Sequence, residues 1–269
     1  MEIILYGIMF IIGTLIGSFC TLAVYRIPIG KDITHERSFC PNCNHRLEFW
    51  DLIPIVSYLA LGGKCRYCKE KIRIRYLLFE LGSGITFLLL ALSTNIHLEE
   101  LLTNTEETIN GIVLIGFGIL YFTTLILIAG IDKERTEIAK PVLLFGFIIL
   151  GLYILYLCTF KNILVYKYAI YLIFILIIIL LDIWLMKKKG KENYTISILL
   201  LWIYMLSFTN TDIMLFTIIA TLIFVAIHSI AHKLEEKEKE NVKVPIGFYM
   251  VISNIFFTIL ANFLANIVK

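Results

Sequence analysis

The hydrophobic positions of this sequence come in long runs and not at the regular intervals of an amphipathic helix or strand. A helix needs about 20 apolar residues to cross a bilayer core roughly 30 Å thick. The runs lie at residues 3–25, 77–94, 111–131, 142–160, 165–186, 195–208, 212–231 and 247–267, of which the sixth is short for a bilayer. This pattern predicts an all-α polytopic membrane protein with about eight transmembrane helices.

Composition agrees with this prediction. Of the 269 residues, 59% are hydrophobic and 17% are charged, and the mean hydropathy is +0.86. A soluble domain has roughly half apolar and about a quarter charged residues. The composition therefore excludes an ordinary cytosolic enzyme, a disordered chain and a secreted disulfide scaffold. We expect the lipid bilayer, and no nucleic acid, as the partner of most of the surface.

The charged residues indicate which connecting segments face the cytoplasm. Twenty-one of the 24 lysines and arginines lie in residues 26–76, 132–141, 187–194 and 232–246. The loop after the second run is instead acidic, with Glu99, Glu100, Glu106 and Glu107. Because Lys and Arg accumulate in cytoplasmic loops, we expect both termini outside and the 26–76 loop inside. The first run lacks a basic start and a small-residue cleavage site, so we expect a retained helix.

Four cysteines in the 26–76 loop form two C-x2-C pairs, at Cys40 and Cys43 and at Cys65 and Cys68. Two such pairs supply the four thiolates of a closed zinc site, which leaves no open position for catalysis. A disulfide is disfavoured because the charge pattern puts these thiols in the reducing cytosol. An insert of this size is too small to bury a sufficient core, so a structural zinc is expected to stabilise it.

These observations divide the chain into three parts. We predict a first transmembrane helix at 1–25, a small cytoplasmic zinc-knuckle insert at 26–76 between helices 1 and 2, and a helical transmembrane region at 77–269. The sequence does not predict the oligomeric state.

The motifs around the cysteines resemble those of a known family. Residues 17–28 read G-S-F-C-T-L-A-V-Y-R-I-P, D-L-I-P at 51–54 lies between the cysteine pairs, and R-Y at 75–76 and E-L-G-S-G at 80–84 follow them. This order resembles bacterial type IV prepilin peptidases, the leader peptidase and N-methyltransferase of type IV pili and type II secretion. Two later segments are also similar to that family, A-G-I-D ending at Asp132 and P-I-G-F-Y at 245–249.

The resemblance implies an enzyme of the bacterial inner membrane, with the zinc insert in the cytoplasm. Its substrates would be type IV prepilins or pseudopilins, whose leader is cleaved at the cytoplasmic face. The new N-terminus would then be methylated with S-adenosylmethionine as the donor. No Gly-rich methyl-donor fingerprint is present in the sequence, so the methyltransferase prediction depends on the resemblance alone.

Members of this family are intramembrane aspartyl proteases of the GxGD type, in which two nearby carboxylates must hold different protonation states. Asp132 takes the position of the first catalytic aspartate. The GxGD motif should open the sixth apolar run, but residues 191–198 read K-E-N-Y-T-I-S-I there. Weaker candidates for a second carboxylate on the same side are Glu192 and Asp182. Asp212 lies one apolar run farther on, so we expect it at the outer face, capping the seventh helix.

Two functions of different classes remain open. One is a membrane-embedded prepilin leader peptidase that also methylates the new N-terminus. The alternative is a catalytically degenerate homologue that binds prepilins or pilus-assembly components without proteolysis, because the second aspartate is not found. A zinc-knuckle membrane scaffold unrelated to pili is disfavoured by the D-L-I-P and E-L-G-S-G segments.

Overall fold

The computed structural model describes residues 2–94, 105–160, 166–189, 193–235 and 243–268. Within these ranges the regular structure is helical, apart from two isolated antiparallel bridges in the insert. The helices are α1 (Glu2–Arg26), α2 (Val56–Ala60), α3 (Arg75–Thr94), α4 (Thr105–Arg135), α5 (Lys140–Phe160), α6 (Tyr166–Lys189), α7 (Tyr194–Phe208), α8 (Thr211–Glu235) and α9 (Ile246–Val268). The predicted all-α class is confirmed, and the described residues of each predicted apolar run are helical.

Seven of the nine described helices are long and apolar enough to cross a membrane; the five-residue α2 and the short apolar α7 are not. The 15 residues of α7 rise about 22 Å at 1.5 Å per residue, which is less than the hydrocarbon thickness. Eight of these residues are buried, including Leu201, Tyr204 and Met205 with no exposed area. The short apolar run is therefore a packed core helix, which needs fewer residues than a helix that faces lipid.

Polar residues set the helix ends. After α4, Thr136 adopts a φ of +52° and its N–H donates to the carbonyl of Asp132, a left-handed turn that stops the helix. Lys133 and Arg135 in the last turn of α4 are favourably placed for the helix dipole. In the next helix Pro141 occupies the first turn, where no backbone donor is needed. A buried acid, Asp132, is thereby fixed at the polar end of a long apolar helix.

The chain packs as two compact units. The first unit contains Met1–Val113 together with Asn262–Lys269, and the second contains Leu114–Ala261. The division into 1–25, 26–76 and 77–269 follows predicted membrane position and stays a prediction.

In the first unit, α1 and α3 approach closely because small residues line their contact. A Cβ on Gly13 would lie 2.7 Å from the carbonyl oxygen of Ser83, and one on Gly17 would lie 2.9 Å from the Cα of Glu80. A Cβ on Gly84 would meet Thr14 at 2.7 Å. The spacing of Gly13 and Gly17 is that of a GxxxG contact between membrane helices. This contact holds together the two helices from which the cysteine-containing insert extends.

In the second unit, α7 packs against α5 and α6, and α4 is joined to α9 by a buried polar contact. The Tyr121 hydroxyl of α4 donates to Asn254 Oδ1 of α9 at 2.9 Å, and both side chains are buried. Tyr121 and Tyr204 lie with their ring centroids 5.5 Å apart. These contacts bring the polar end of α4 beside the first residues of α7 and α9.

Candidate functional site

The four cysteines of the insert form one cluster in the first unit. Their sulfur atoms all lie within 4.8 Å of one another, with Cys40 and Cys68 separated by 3.8 Å. In a tetrahedral zinc site with Zn–S bonds of about 2.3 Å, neighbouring sulfurs lie about 3.8 Å apart. Cys40 and Cys65 are buried. The predicted set of four thiols therefore meets at one point, with the spacing that a metal ion requires.

The two cysteine turns are built alike, 25 positions apart. The N–H of Cys40 donates to the carbonyl of His45, and that of Cys65 donates to the carbonyl of Glu70. The residue after each second cysteine has a positive φ, +55° at Asn44 and +60° at Lys69, and an antiparallel bridge closes each turn. Each C-x2-C segment therefore forms the same local turn, which points two sulfurs to the same side.

Hydrogen bonds from neighbouring groups favour the thiolate form of Cys68. The backbone N–H of Glu70 and the side-chain amide of Asn42, which donates to Cys68 Sγ at 3.6 Å, lower the pKa of Cys68 to about 6. The thiolate is the form that binds metal ions. At this one cysteine of the four, the local hydrogen bonds thus favour the thiolate form.

Asp51 of the D-L-I-P segment connects the two cysteine turns. Its side chain is 3% exposed and accepts hydrogen bonds from Arg66 Nε at 2.6 Å and the Tyr67 hydroxyl at 3.2 Å. The Tyr67 ring lies on His45 with centroids 3.5 Å apart. Burial by itself would raise the pKa of Asp51, but the Arg66 guanidinium and the Glu48 N–H hold it below its ordinary value. Asp51 is therefore an ionised structural link.

Glu80 of the E-L-G-S-G segment holds the end of the same loop. Its Oε2 accepts a hydrogen bond of 2.7 Å from the backbone N–H of Ile55. Ile55 has φ +64° and ψ −52°, a conformation that is strained for a β-branched residue. The strain lies at the residue after Pro54, where the loop turns into α2. Glu80 thus ties a strained loop to a membrane helix.

Arg26, at the end of α1, holds the loop that precedes the first cysteine pair. It is buried, and its guanidinium donates to the carbonyl oxygens of Asp32, Glu36 and Arg37 at 2.8, 2.9 and 3.3 Å. One arginine therefore satisfies three backbone acceptors of the loop that leads to the first cysteine pair. Arg26, in the R-I-P end of the first motif, therefore helps to fold this loop.

These elements surround a cleft of about 1430 Å³ within the first unit. Its walls include Phe19 of α1, Phe49 and Tyr58 of the insert, and Tyr76 and Glu80 of α3. Typical small-molecule pockets have volumes of about 300–1,000 Å³. The cleft is large enough for a cofactor together with part of a peptide, and it combines aromatic side chains with a carboxylate.

The second unit contains the carboxylate that sequence reasoning singled out. Asp132 has no exposed area, and both of its oxygens accept hydrogen bonds. Oδ1 accepts from the Tyr194 hydroxyl at 2.8 Å, and Oδ2 accepts from the backbone N–H of Phe248 at 2.8 Å. The carboxylate therefore joins the end of α4 to the beginnings of α7 and α9.

The P-I-G-F-Y segment at 245–249 provides the rest of this enclosure. The N–H groups of Ile246 and Gly247 donate to the Tyr194 hydroxyl oxygen at 2.9 and 3.3 Å. A Cβ on Gly247 would lie 3.1 Å from Asp132 Oδ2, so the glycine permits this close approach. The first amides of a helix are a favourable site for an anion. The Asp132 carboxyl group lies at this N-terminus, where its Oδ2 accepts the Phe248 N–H of α9.

Tyr194 is the functional candidate that sequence reasoning missed. It is the first residue of α7, in the segment where the resemblance led us to expect the second aspartate. Its position at the start of the sixth apolar run was the available signal. Among the described residues, no second carboxylate hydrogen-bonds or pairs with Asp132. Glu192, two positions before Tyr194, lies outside the residues that the structure describes.

The other two carboxylates lie elsewhere. Asp182 on α6 is buried and pairs with Lys140 of α5 at 2.7 Å. Asp212 is exposed in the first turn of α8. The whole of α7, about 22 Å long, separates it along the chain from Tyr194. The observed contacts of Asp132 therefore include neither residue.

Comparison with known proteins supports the resemblance for the front of the chain. Residues 11–94 match the bacterial peptidase A24 N-terminal domain. Proteins named prepilin leader peptidase/N-methyltransferase are similar to this region. The one from Myxococcus xanthus (strain DK1622) is 40% identical over 79 residues, which are 29% of this chain and 24% of that protein. The one from Vibrio cholerae serotype O1 is 37% identical over 90 residues, covering 30% of this chain and 36% of that protein.

A third relative of the same name, from Pseudomonas putida, is 37% identical over 103 residues, covering 30% of this chain and 36% of that protein. The chain thus spans about a quarter to a third of the length of these relatives. No solved structure matches the chain. The matched region contains the cysteine cluster, Asp51 and Glu80, and it ends before Asp132. The predicted resemblance is confirmed there.

Proposed function

We propose that this chain is a multi-pass protein of the bacterial inner membrane that processes type IV prepilins or pseudopilins. It acts as a leader peptidase at the cytoplasmic face and methylates the new N-terminus. The observation that carries the proposal is the first unit. There the segments at 17–28, 51–54 and 80–84, all within the matched region, build one cleft beside one cysteine cluster.

The proposal assigns a structural zinc ion to Cys40, Cys43, Cys65 and Cys68. The sulfur spacing fits a tetrahedral ion, and four thiolates complete its coordination. The Asp51 link to Arg66 and Tyr67 then fixes the loop between the two cysteine pairs. The ion would hold the insert together and would take no part in bond breaking.

Methyl transfer is assigned to the cleft of the first unit. S-adenosylmethionine supplies an electrophilic methyl group when bound. The acceptor of that methyl group would be the free N-terminal amine of the cleaved precursor. Tyr58, Tyr76 and Glu80 line the cleft and offer ring faces and a carboxylate for a cationic ligand. Glu80 also keeps the loop at Ile55 in place.

Proteolysis is assigned to Asp132, with Glu192 as the nearest candidate in sequence for a second carboxylate. Asp182 is less suited because Lys140 already pairs with it. Both oxygens of Asp132 are engaged, so a water molecule or a peptide reaches this carboxylate only if α7 or the start of α9 moves. We therefore expect leader cleavage to be slow.

A second function is favoured by a specific observation. Tyr194 stands where a second aspartate is expected, and it closes Asp132 together with the N-terminus of α9. This arrangement suits a degenerate homologue that binds prepilins or pilus-assembly components without cutting them. In that case Asp132 stabilises the second unit, while the first unit retains binding and methyl transfer.

The deciding experiment uses the purified full-length chain in detergent with two synthetic peptides. One is a prepilin N-terminal segment with its leader, and the other is the same segment without the leader. Mass spectrometry follows leader removal and methylation in the presence of S-adenosylmethionine. The variants are Asp132→Asn, Glu192→Gln and Glu80→Gln, and Asp212→Asn serves as the exposed control.

The proposed enzyme cleaves the first peptide, and Asp132→Asn abolishes cleavage while methylation of the second peptide continues. Methylation of the leaderless peptide without any cleavage, together with binding of the intact prepilin, establishes the degenerate homologue. Cleavage that persists in Asp132→Asn contradicts the role of this carboxylate. If neither peptide binds or reacts, the assignment to prepilin processing is wrong.

A further inference from the structure

The insert of the first unit exposes large apolar side chains that its fold does not use. Phe49 and Trp50 are 74% and 66% exposed, and Val56 and Leu59 on α2 are 58% and 64% exposed. Phe49 and Trp50 contact each other edge to face, and their 3₁₀ turn packs against α2. We name this set of four residues the aromatic ridge. Surface patches of this kind on a small domain mark an interaction site.

The ridge lies beside a membrane-spanning helix. Phe49 lines the same cleft as Leu15 and Phe19 of α1. Leu15 precedes the end of α1 at Arg26 by eleven residues, or about 16 Å along the helix axis. Both ends of the insert continue into membrane helices, α1 and α3. The cleft therefore runs from the insert along α1 into the apolar part of that helix. The aromatic ridge borders the end of the cleft that lies in the insert.

Charge indicates what covers the ridge. Residues 26–76 contain ten Lys and Arg against five Asp and Glu. Basic segments next to membrane helices are attracted to anionic lipid headgroups. Tryptophan is enriched where the hydrocarbon meets the headgroups, because its ring is apolar and its N–H is polar. A bilayer surface with anionic lipids matches both the apolar ridge and the positive charge around it.

We propose that the aromatic ridge docks the insert onto the anionic bilayer that α1 and α3 span. Phe49 and Trp50 enter the headgroup region, and Val56 and Leu59 follow along the same surface. This docking covers apolar area that would otherwise face water. Docking also holds the cleft against the membrane, so that the end of the cleft in the insert opens at the lipid surface. The inference concerns the position of the insert and does not depend on which peptide is processed.

The test follows the fluorescence of Trp50 in the full-length protein. The chain contains three tryptophans, at positions 50, 184 and 202. Trp184→Phe with Trp202→Phe leaves Trp50 as the reporter, and the protein is reconstituted in vesicles of phosphatidylethanolamine and phosphatidylglycerol. Quenching is measured with brominated acyl chains in the vesicles and with iodide in the water. A variant that keeps only Trp184, exposed on α6, is the lipid-contact control.

We expect bromolipid to quench Trp50 strongly, as it does the Trp184 control, and iodide to quench it several-fold less than it quenches free N-acetyltryptophanamide. Replacing phosphatidylglycerol with phosphatidylcholine should reduce the bromolipid quenching. Full quenching by iodide with none by bromolipid overturns the proposal. Unchanged quenching in the neutral vesicles overturns its electrostatic part.

Two other occupants have distinct signatures. If a precursor peptide covers the ridge, iodide reaches Trp50 until a synthetic prepilin is added, and bromolipid has no effect. If a second copy of the chain covers it, protection from iodide falls as the protein is diluted in excess lipid. Either result rejects the membrane as the partner. Lipid quenching that is independent of peptide and of dilution supports it.

Discussion

The two compact units use their polar residues in different ways. In the first unit, the buried or partly buried polar groups Arg26, Asp51 and Glu80 each hold a segment of one loop system around an open cleft. In the second unit, Asp132 has no exposed area, and three helix ends enclose it. The first arrangement leaves room for a ligand, whereas the second fills the space that a ligand would need.

The two units also differ in how well the structure accounts for the motifs that resemble the family. The first unit contains the matched residues 11–94, and there each motif has a contact that explains it. In the second unit Asp132, which only the resemblance places at the first-aspartate position, has the phenol of Tyr194 as its neighbour. A phenol and a carboxylate do not exchange a proton as two carboxylates do. The structure therefore supports the proposed function more strongly at the front of the chain than at the back.

Loss of the metal should have the largest effect, and it should be confined to the first unit. Cys65→Ser or a strong chelator should unfold the insert, because zinc stabilises small Cys-ligand domains by about 10–16 kcal/mol. Hydrogen exchange should rise throughout residues 38–72 and stay unchanged in α7. Zinc analysis of the purified chain gives the stoichiometry.

The matched control for this experiment is Cys158→Ser, a cysteine of the second unit outside the cluster. It should retain one zinc per chain. A wild-type protein that contains no zinc and shows four reactive thiols in a folded insert contradicts the assignment.

Removing the enclosed carboxylate should have the next largest effect, in the second unit alone. Asp132→Ala leaves the Phe248 N–H and the Tyr194 hydroxyl without their acceptor, at about 1–3 kcal/mol for each buried group. Tyr194→Phe removes one donor and should cost less. Thermal unfolding in detergent measures both variants. Asp212→Ala, at an exposed position in the first turn of α8, should cost no more than about 0.3–1 kcal/mol, the usual contribution of an acid at a helix N-terminus.

These variants also test whether enclosure limits catalysis. If Tyr194→Phe loosens the site and raises leader cleavage while it lowers stability, Asp132 is a restrained catalytic group. If cleavage stays absent in this variant, Asp132 has a structural role only. A variant at Asp132 that unfolds no more readily than the Asp212 control would show that the enclosure has no energetic importance.

The α1 and α3 contact provides a smaller and more local test. Gly17→Ala places a Cβ about 2.9 Å from the Cα of Glu80, and overpacking of this kind costs about 1–3 kcal/mol. Gly7→Ala, on the same helix with no atom within 4 Å of its Cβ, should instead be neutral or stabilising because alanine favours helices. Opposite signs in thermal unfolding confirm the contact, and equal effects refute it.

The smallest expected effect concerns the strained loop. Glu80→Ala removes the acceptor of the Ile55 N–H, so the loop should lose its positive-φ conformation. Ile55→Gly should recover about 1 kcal/mol in the Glu80→Ala background, since glycine adopts this conformation without strain. A double-mutant cycle in the free energy of unfolding measures the coupling.

Lys69→Gly is the control, because it relieves a positive φ that Glu80 does not hold. Its effect should add to that of Glu80→Ala without coupling. Simple additivity for Ile55→Gly as well would show that Glu80 does not stabilise the strained turn.

The sequence by itself determined the helices and the cysteine cluster. Backbone groups in lipid must bond within their own segment, so a long apolar run has almost no alternative to a helix. Each C-x2-C turn closes through hydrogen bonds between residues at most nine apart, and its geometry is therefore local. The resemblance at the front of the chain was also readable, since its motifs lie close together.

Only the tertiary structure decided which polar groups meet. Tyr194 and Asp132 are 62 positions apart, Lys140 and Asp182 are 42 apart, and Ile55 and Glu80 are 25 apart. Each pairing depends on how helices are rotated and how far they slide along one another, and apolar runs contain little of that information. The sequence of a uniformly hydrophobic helix does not show which face is buried. The enclosure of Asp132 therefore follows from packing between helices. Hydropathy and local turns specify only the helices themselves.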